Sequence, residues 1–73
     1  MKWQSDQNMY GKEDLLNDAG EVVGYTITCR GEMRGFVVDV LSSREVVHAH
    51  IDRAGYTMPD KVAEVKRKVQ SMC

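Results

Sequence analysis

Long apolar runs are missing from this 73-residue chain, and so is an excess of charge of either sign. No stretch approaches the roughly 18 to 20 apolar residues that a membrane-spanning helix needs. The first residues, Met1-Lys2-Trp3-Gln4-Ser5-Asp6-Gln7-Asn8, lack the apolar segment of a secretory signal. The expectation is a cytoplasmic protein with no membrane partner. Ten basic residues against eleven acidic ones leave a net charge of −1, which argues against a dedicated polyanion binder, because phosphate contacts need clustered Lys and Arg. Cysteine is scarce. Cys29 and Cys73 are too few for the disulfide framework of a small secreted protein, and free thiols are expected, the alternatives being a Cys29–Cys73 bridge or a disulfide between chains through Cys73.

The residues of nucleophilic catalysis are equally sparse. Ser42, Ser43 and Ser71 lack a Gly-x-Ser-x-Gly context, and neither cysteine has an activating base close in sequence. Glu13 and Asp14 are adjacent rather than facing, and the glycines do not follow a phosphate-cradling pattern. A chain this short also has little room to enclose a pocket of several hundred cubic ångströms. The sequence therefore predicts no catalytic residue and no cofactor, in a single domain over residues 1–73.

What is present is a hydrophobic fraction of 42%, enough for a globular core. Residues 1–14 are polar, anchored only by Trp3, Met9 and Tyr10, and read as a loose N-terminal arm or a first strand. Asn17-Asp18-Ala19-Gly20 is a strong turn signal. Glu21 to Cys29 reads as a strand, with Val23, Tyr25, Ile27 and Cys29 on one face and Val22, Gly24, Thr26 and Thr28 on the other. Gly24 hints at a bulge or a close approach of another part of the chain. Arg30 to Gly35, with two glycines, reads as a hairpin loop, and Phe36 to Leu41 as the next strand. Residues 45–53 alternate again and are β-branched, so a strand is favoured there over a short helix.

Met58, Val62, Val65, Val69 and Met72 then recur at helical spacing and predict an amphipathic helix over residues 57–72, capped by Thr57. Pro59 and Asp60 suit its first turn, and Lys66, Arg67 and Lys68 suit its negative end. Glu64 and Lys68 stand in the favourable order for an ion pair. The predicted fold is α+β: an antiparallel meander of three to four strands packed against one C-terminal helix. The predicted core is Tyr25, Ile27, Phe36, Val38, Val40, Val47, Ala49, Ile51, Val62, Val65 and Val69.

Two constellations invite a functional reading. His48, His50 and Asp52 alternate along a strand, which would set two imidazoles and a carboxylate about 7 Å apart on one face. They are candidate metal ligands, but with no third histidine in the chain a polar strand face turned to water is the preferred account, and no metal is expected. Arg30 and Arg34 flank Glu32 and Met33 at the hairpin tip. Together with Thr26 and Thr28 on the adjoining face, these four residues form the expected partner-binding surface. The alternative is a small DNA- or RNA-binding module in which the 30–34 hairpin and the basic end of the helix contact phosphates.

The run Leu15-Leu16-Asn17-Asp18-Ala19-Gly20-Glu21-Val22-Val23-Gly24, followed by further strands and a short C-terminal helix, resembles many small phage and prophage accessory proteins. Such proteins include inhibitors of bacterial defence, anti-CRISPR proteins among them, which act by occluding a host protein. The resemblance implies a non-catalytic protein-binding protein whose partner is a bacterial host protein such as a CRISPR–Cas component, in the cytoplasm of the host cell. A self-complementary strand edge would make a homodimer, which is as open as a monomer. The order of strands and helix is also similar to the three-stranded DNA-binding domains of some phage integrases, from which this chain departs by lacking a basic sheet face.

Overall fold

The structure, a computed structural model, describes residues 1–39, 44–52, 55 and 57–73, with the backbone alone at residues 39 and 44–50. Five strands form one antiparallel sheet in chain order: β1 (Lys2–Ser5), β2 (Lys12–Leu16), β3 (Val22–Cys29), β4 (Glu32–Asp39) and β5 (Arg44–Ile51). A C-terminal helix, α1 (Pro59–Ser71), lies mainly over β4 and β5 and reaches β3. The α+β meander under a C-terminal helix is therefore as the sequence predicts. The sheet is wider than the three to four strands expected because residues 1–14, read as a loose arm or a first strand, supply β1 and most of β2, with Trp3 opposite Leu15.

Local chemistry explains the turns. Asn17 Oδ1 accepts hydrogen bonds from the N–H groups of Ala19 (3.0 Å) and Glu21 (2.9 Å), and Gly20 supplies the left-handed residue at φ +81°. The β3–β4 connection is tighter than the loop read from the sequence. Cys29 pairs directly with Glu32, leaving only Arg30 (φ +54°) and Gly31 (φ +80°) in the turn. Two consecutive positive φ values make the two-residue turn whose twist matches that of the flanking strands. Strand β4 thus starts at Glu32, and Gly35, taken for part of the loop, lies within it opposite Thr26 and Ala49. Residues 44–51 are a strand, as favoured.

The helix covers the other face of the sheet from the one expected. Gly24 lies beneath Val69, and Val65 packs with Met33, Ile51 and Val62. Because neighbouring residues of a strand point to opposite sides, the helix side holds Gly24, Thr26, Met33 and Gly35, and Leu15 joins them as the cross-strand partner of Gly24. Leu15, Met33, Val65 and Val69 are the buried apolar residues of this layer, and Thr26 is 1% exposed. Tyr25 and Phe36 lie on the opposite face, stacked on each other with ring centroids 4.6 Å apart and planes 15° apart; Tyr25 is buried there, as the sequence predicts, and Phe36 is half-buried. The larger side chains of β3 did not mark the core face, because the helix approaches where the residues are small. Val38, opposite Glu45 in register and two residues from Phe36, belongs to the uncovered side. Val40 lies outside the described residues, as do the side chains of Val47 and Ala49.

Helix α1 begins at Pro59 with Met58, not Thr57, as its N-cap, and Met58 makes no side-chain capping bond. Its apolar stripe is buried only in the middle. Val65 and Val69 are enclosed, Val62 is half-buried, and Met58 and Met72 at the ends are exposed. Glu64 pairs with Lys61 at 3.7 Å rather than with Lys68, and Lys66 turns inward to Glu13 and to the Trp3 ring at 5.4 Å. No helix among the described residues is long and apolar enough to cross a membrane.

Candidate functional site

Strand directions gather three connections at one end of the sheet: residues 6–11, the Arg30–Gly31 turn and the segment leading into the N-terminus of α1. The first of these is held firmly. Asp6 N–H donates to the Lys12 carbonyl (2.9 Å), Lys12 N–H to Met9 O (3.4 Å), and Asn8 N–H to Asp6 Oδ1 (2.7 Å). Thr28 N–H donates to Gly11 O at 2.8 Å, fastening the turn to β3. Gly11, at φ +83°, sits so close that a β-carbon there would lie 2.6 Å from Thr28 O. On this fixed turn Tyr10 is fully exposed and Met9 is 46% exposed. Beneath them, on the helix side, a groove of about 650 Å³ runs past Thr28, Met33 and Val62.

Around the corner, on the uncovered face, lies a depression of about 530 Å³ lined by Ile27, Cys29, Arg30, Glu32, Arg34 and Phe36. Arg34 Nη2 meets Glu32 Oε2 at 3.5 Å in an exposed ion pair, while no carboxylate pairs with Arg30 among the described residues. Beside this depression Lys12 Nζ stands 4.6 Å from the Tyr25 ring centroid, between Asp6 Oδ2 (3.3 Å) and Asp14 Oδ1 (3.4 Å). Asp14 Oδ1 is buried without a hydrogen bond, and burial raises its carboxyl pKa against the opposing pull of Lys12. The Asn8 N–H holds the Asp6 carboxyl below its ordinary range, aided by Lys12. Lys12 itself is raised: burial works against its charge, and the hydrogen bond to Asp6 and the charge of Asp14 outweigh it.

Of the six residues expected to meet a partner, the structure brings Arg30, Glu32 and Arg34 together on the uncovered face. Met33 and Thr26 lie under the helix, 2% and 1% exposed, and offer no surface. Thr28 also points to the helix side, where it lines the groove. The two basic groups of the nucleic-acid alternative are not brought together either, since Arg34 and Lys66 to Lys68 occupy opposite sides of the sheet. Tyr10 is the residue that sequence reasoning passed over. Its signal was present, a lone large aromatic in a polar turn before a glycine, but the bond from Thr28 that fixes the turn comes from a distant strand.

The His48, His50, Asp52 row is interrupted in the backbone. The ladder steps from Ala49 opposite Gly35 to Val47 opposite Phe36, which leaves residue 48 as an extra one, while His50 lies opposite Arg34. Asp52 follows the strand, exposed, with Oδ1 accepting from Gly55 N–H at 3.0 Å. The side chains of His48 and His50 lie outside those described. Among the described residues no group of three His, Cys, Asp or Glu side chains is arranged to hold a metal ion.

Both cysteines are free thiols. Cys29 belongs to the uncovered face, whereas Cys73 Sγ donates to the carbonyls of Val69 (3.2 Å) and Val23 (3.3 Å) near Gly24 on the helix side. Burial pushes the Cys73 thiol pKa up, away from reactivity. Comparison with known protein families, curated proteins and solved structures finds no match.

Proposed function

We propose that this chain is a non-catalytic protein-binding module that meets its partner with the loop-bearing end of its sheet. Tyr10 carries the reading. An exposed aromatic costs little side-chain entropy on binding, and interfaces concentrate their energy in such residues when they are held in place. Here the backbone bonds from Asp6, Lys12 and Thr28 hold the turn before any partner arrives, so little ordering remains to be done on association. Met9 on the same turn adds an adaptable apolar contact.

The finer proposal follows the resemblance in the Leu15–Gly24 run: a phage or prophage accessory protein that binds and inhibits a bacterial host protein, such as a CRISPR–Cas component, in the host cytoplasm. The test is affinity capture from bacterial lysate with the immobilised chain and its Tyr10→Ala variant, after thermal melts show the two equally stable. The expected result is a protein retained in fixed stoichiometry by the parent and lost by the variant. Capture that is indifferent to Tyr10→Ala would overturn the assignment of this end as the contact surface.

A further inference from the structure

We infer that the depression between Arg30 and Arg34 on the uncovered sheet face binds an acidic peptide segment, one in which carboxylate side chains flank an apolar residue. The inference rests on the protein-binding reading and names the chemistry of the partner. Among the described residues two guanidinium groups border the depression, and one carboxylate, Glu32, lies between them. Arg34 is engaged by Glu32 at the exposed rim, and among the described residues no carboxylate pairs with the Arg30 guanidinium, whose five donors suit an incoming carboxylate. The floor between them is apolar, made of Ile27 and of Phe36, whose ring is fixed by its stack on Tyr25.

The backbone of Arg30 adds a second, independent observation. It occupies the first central position of a turn that demands positive φ, where Gly sits without steric cost and Asn or Asp offsets that cost by local hydrogen bonding. A long cation is held there at φ +54° against local preference. Strain of this kind is found where a side chain serves a site. Charge also selects among polyanions. Glu32, Asp6 and Asp14 share this face with the arginines and Lys12, so a continuous phosphate backbone laid across it would meet carboxylates as well as cations on its path. A peptide can place its few carboxylates at the two arginines and an apolar side chain on Phe36.

The experiment is a titration of the isotope-labelled full chain, followed by amide chemical shifts, with three probes. These are an acetylated hexapeptide of sequence Glu-Glu-Leu-Phe-Glu-Glu, its Gln-for-Glu analogue, and a short oligothymidine. The acidic peptide should perturb residues 27–36 and bind about tenfold more tightly than the Gln analogue, with affinity falling as salt rises. Arg30→Gln with Arg34→Gln should remove that preference. Arg30→Glu with Arg34→Glu should reverse it toward a Lys-flanked peptide, which separates a lost charge from a lost fold. Equal binding of the Gln analogue, perturbations confined to the helix, or tighter binding of oligothymidine would overturn the inference. If lysate capture still depends on Tyr10 when the acidic peptide fails, only the partner chemistry falls; if that dependence is absent as well, the protein-binding reading falls with it.

Discussion

Gly24 lies directly under Val69, so close that a β-carbon on the glycine would stand 2.8 Å from the valine Cγ1 and 3.0 Å from the Phe36 carbonyl oxygen. The contact fixes how near α1 comes to β3. Gly24→Ala should therefore destabilise the fold by about 1–3 kcal/mol through overpacking, lowering the melting temperature by several degrees. Val69→Ala in the same chain should recover part of that loss, a coupling readable in a double-mutant cycle. Gly20→Ala is the contrast. It has open space but φ +81°, so it should cost about 1–2 kcal/mol by backbone strain and show no coupling to Val69.

The buried middle of the helix stripe gives a sharper test. Val65, 3% exposed, packs with Met33, Ile51 and Val62. Val65→Asp would bury a carboxylate among apolar side chains. In so short a chain this should abolish the folded state, seen as lost far-ultraviolet circular dichroism at 25 °C. Val22→Asp, at an exposed strand position, should leave the spectrum intact.

These contacts also separate what the sequence made legible from what it hid. The 17–20 turn and the helix were readable because their determinants are local: the Asn17 side chain bonds its own turn, and the valine stripe repeats within one element. Strand β2 was hidden because Lys12, Glu13 and Asp14 look like solvated loop residues. Their charges are absorbed across strands and layers, Lys12 by Asp6 and Asp14, Glu13 by Lys66. The covered face was misread because Tyr25 and Phe36 outweigh Gly24, Thr26 and Gly35 in hydrophobicity, while the helix needs the smaller set. At the site, Arg30, Glu32 and Arg34 were legible from the hairpin tip. The pinned exposure of Tyr10 was not, because it depends on Thr28.

The helix start offers room for improvement. Met58 is an N-cap in extended conformation, half exposed and without a side-chain bond to the first turn. Met58→Asp supplies an oxygen for an unpaired N–H and a negative charge at the positive end of the helix. The expected gain is about 0.5–2 kcal/mol, visible as a rise in melting temperature. A fall would mean that the methionine packs more than its exposure indicates.

The carboxylates beside Lys12 should impose opposite slopes on stability in acid. Asp6 is lowered by the Asn8 N–H, so in the fold it binds fewer protons than in the unfolded chain. Its stabilisation is present above the unfolded pKa and is lost as pH falls through the folded one. Asp14 is raised by burial. Its ionised form weakens the fold at neutral pH, and that penalty is relieved on acidification. The two carboxyls also act on each other, Asp14 helping to lower Asp6 and Asp6 helping to raise Asp14. Over about pH 5 to 3, the ordinary carboxylate range, Asp14→Asn should lose stability more steeply than the parent because the relief at Asp14 is gone while the Asn8 N–H still lowers Asp6. Asp6→Asn should lose it less steeply or gain. Denaturant midpoints measured across that range decide the matter, and identical slopes in both variants would contradict these assignments.

The turn at Arg30 sets stability against binding in one residue. At φ +54° its β-carbon crowds the following carbonyl, a conformation that Asn tolerates because its short amide bonds locally. Arg30→Asn should therefore stabilise the hairpin, by about 1 kcal/mol at most, because Asn offsets only part of the left-handed cost. The register from Cys29 opposite Glu32 onward should be unchanged, because Asn-Gly is the preferred pair for this two-residue turn. Removing the guanidinium takes away a donor set for acidic peptides, so affinity for the Glu-flanked hexapeptide should fall while the melting temperature rises. Measured on the same preparation, a higher melting temperature with weaker binding is the expected pair. A variant that gains stability and keeps its affinity would show that Arg30 is tolerated in this turn rather than held there for a ligand.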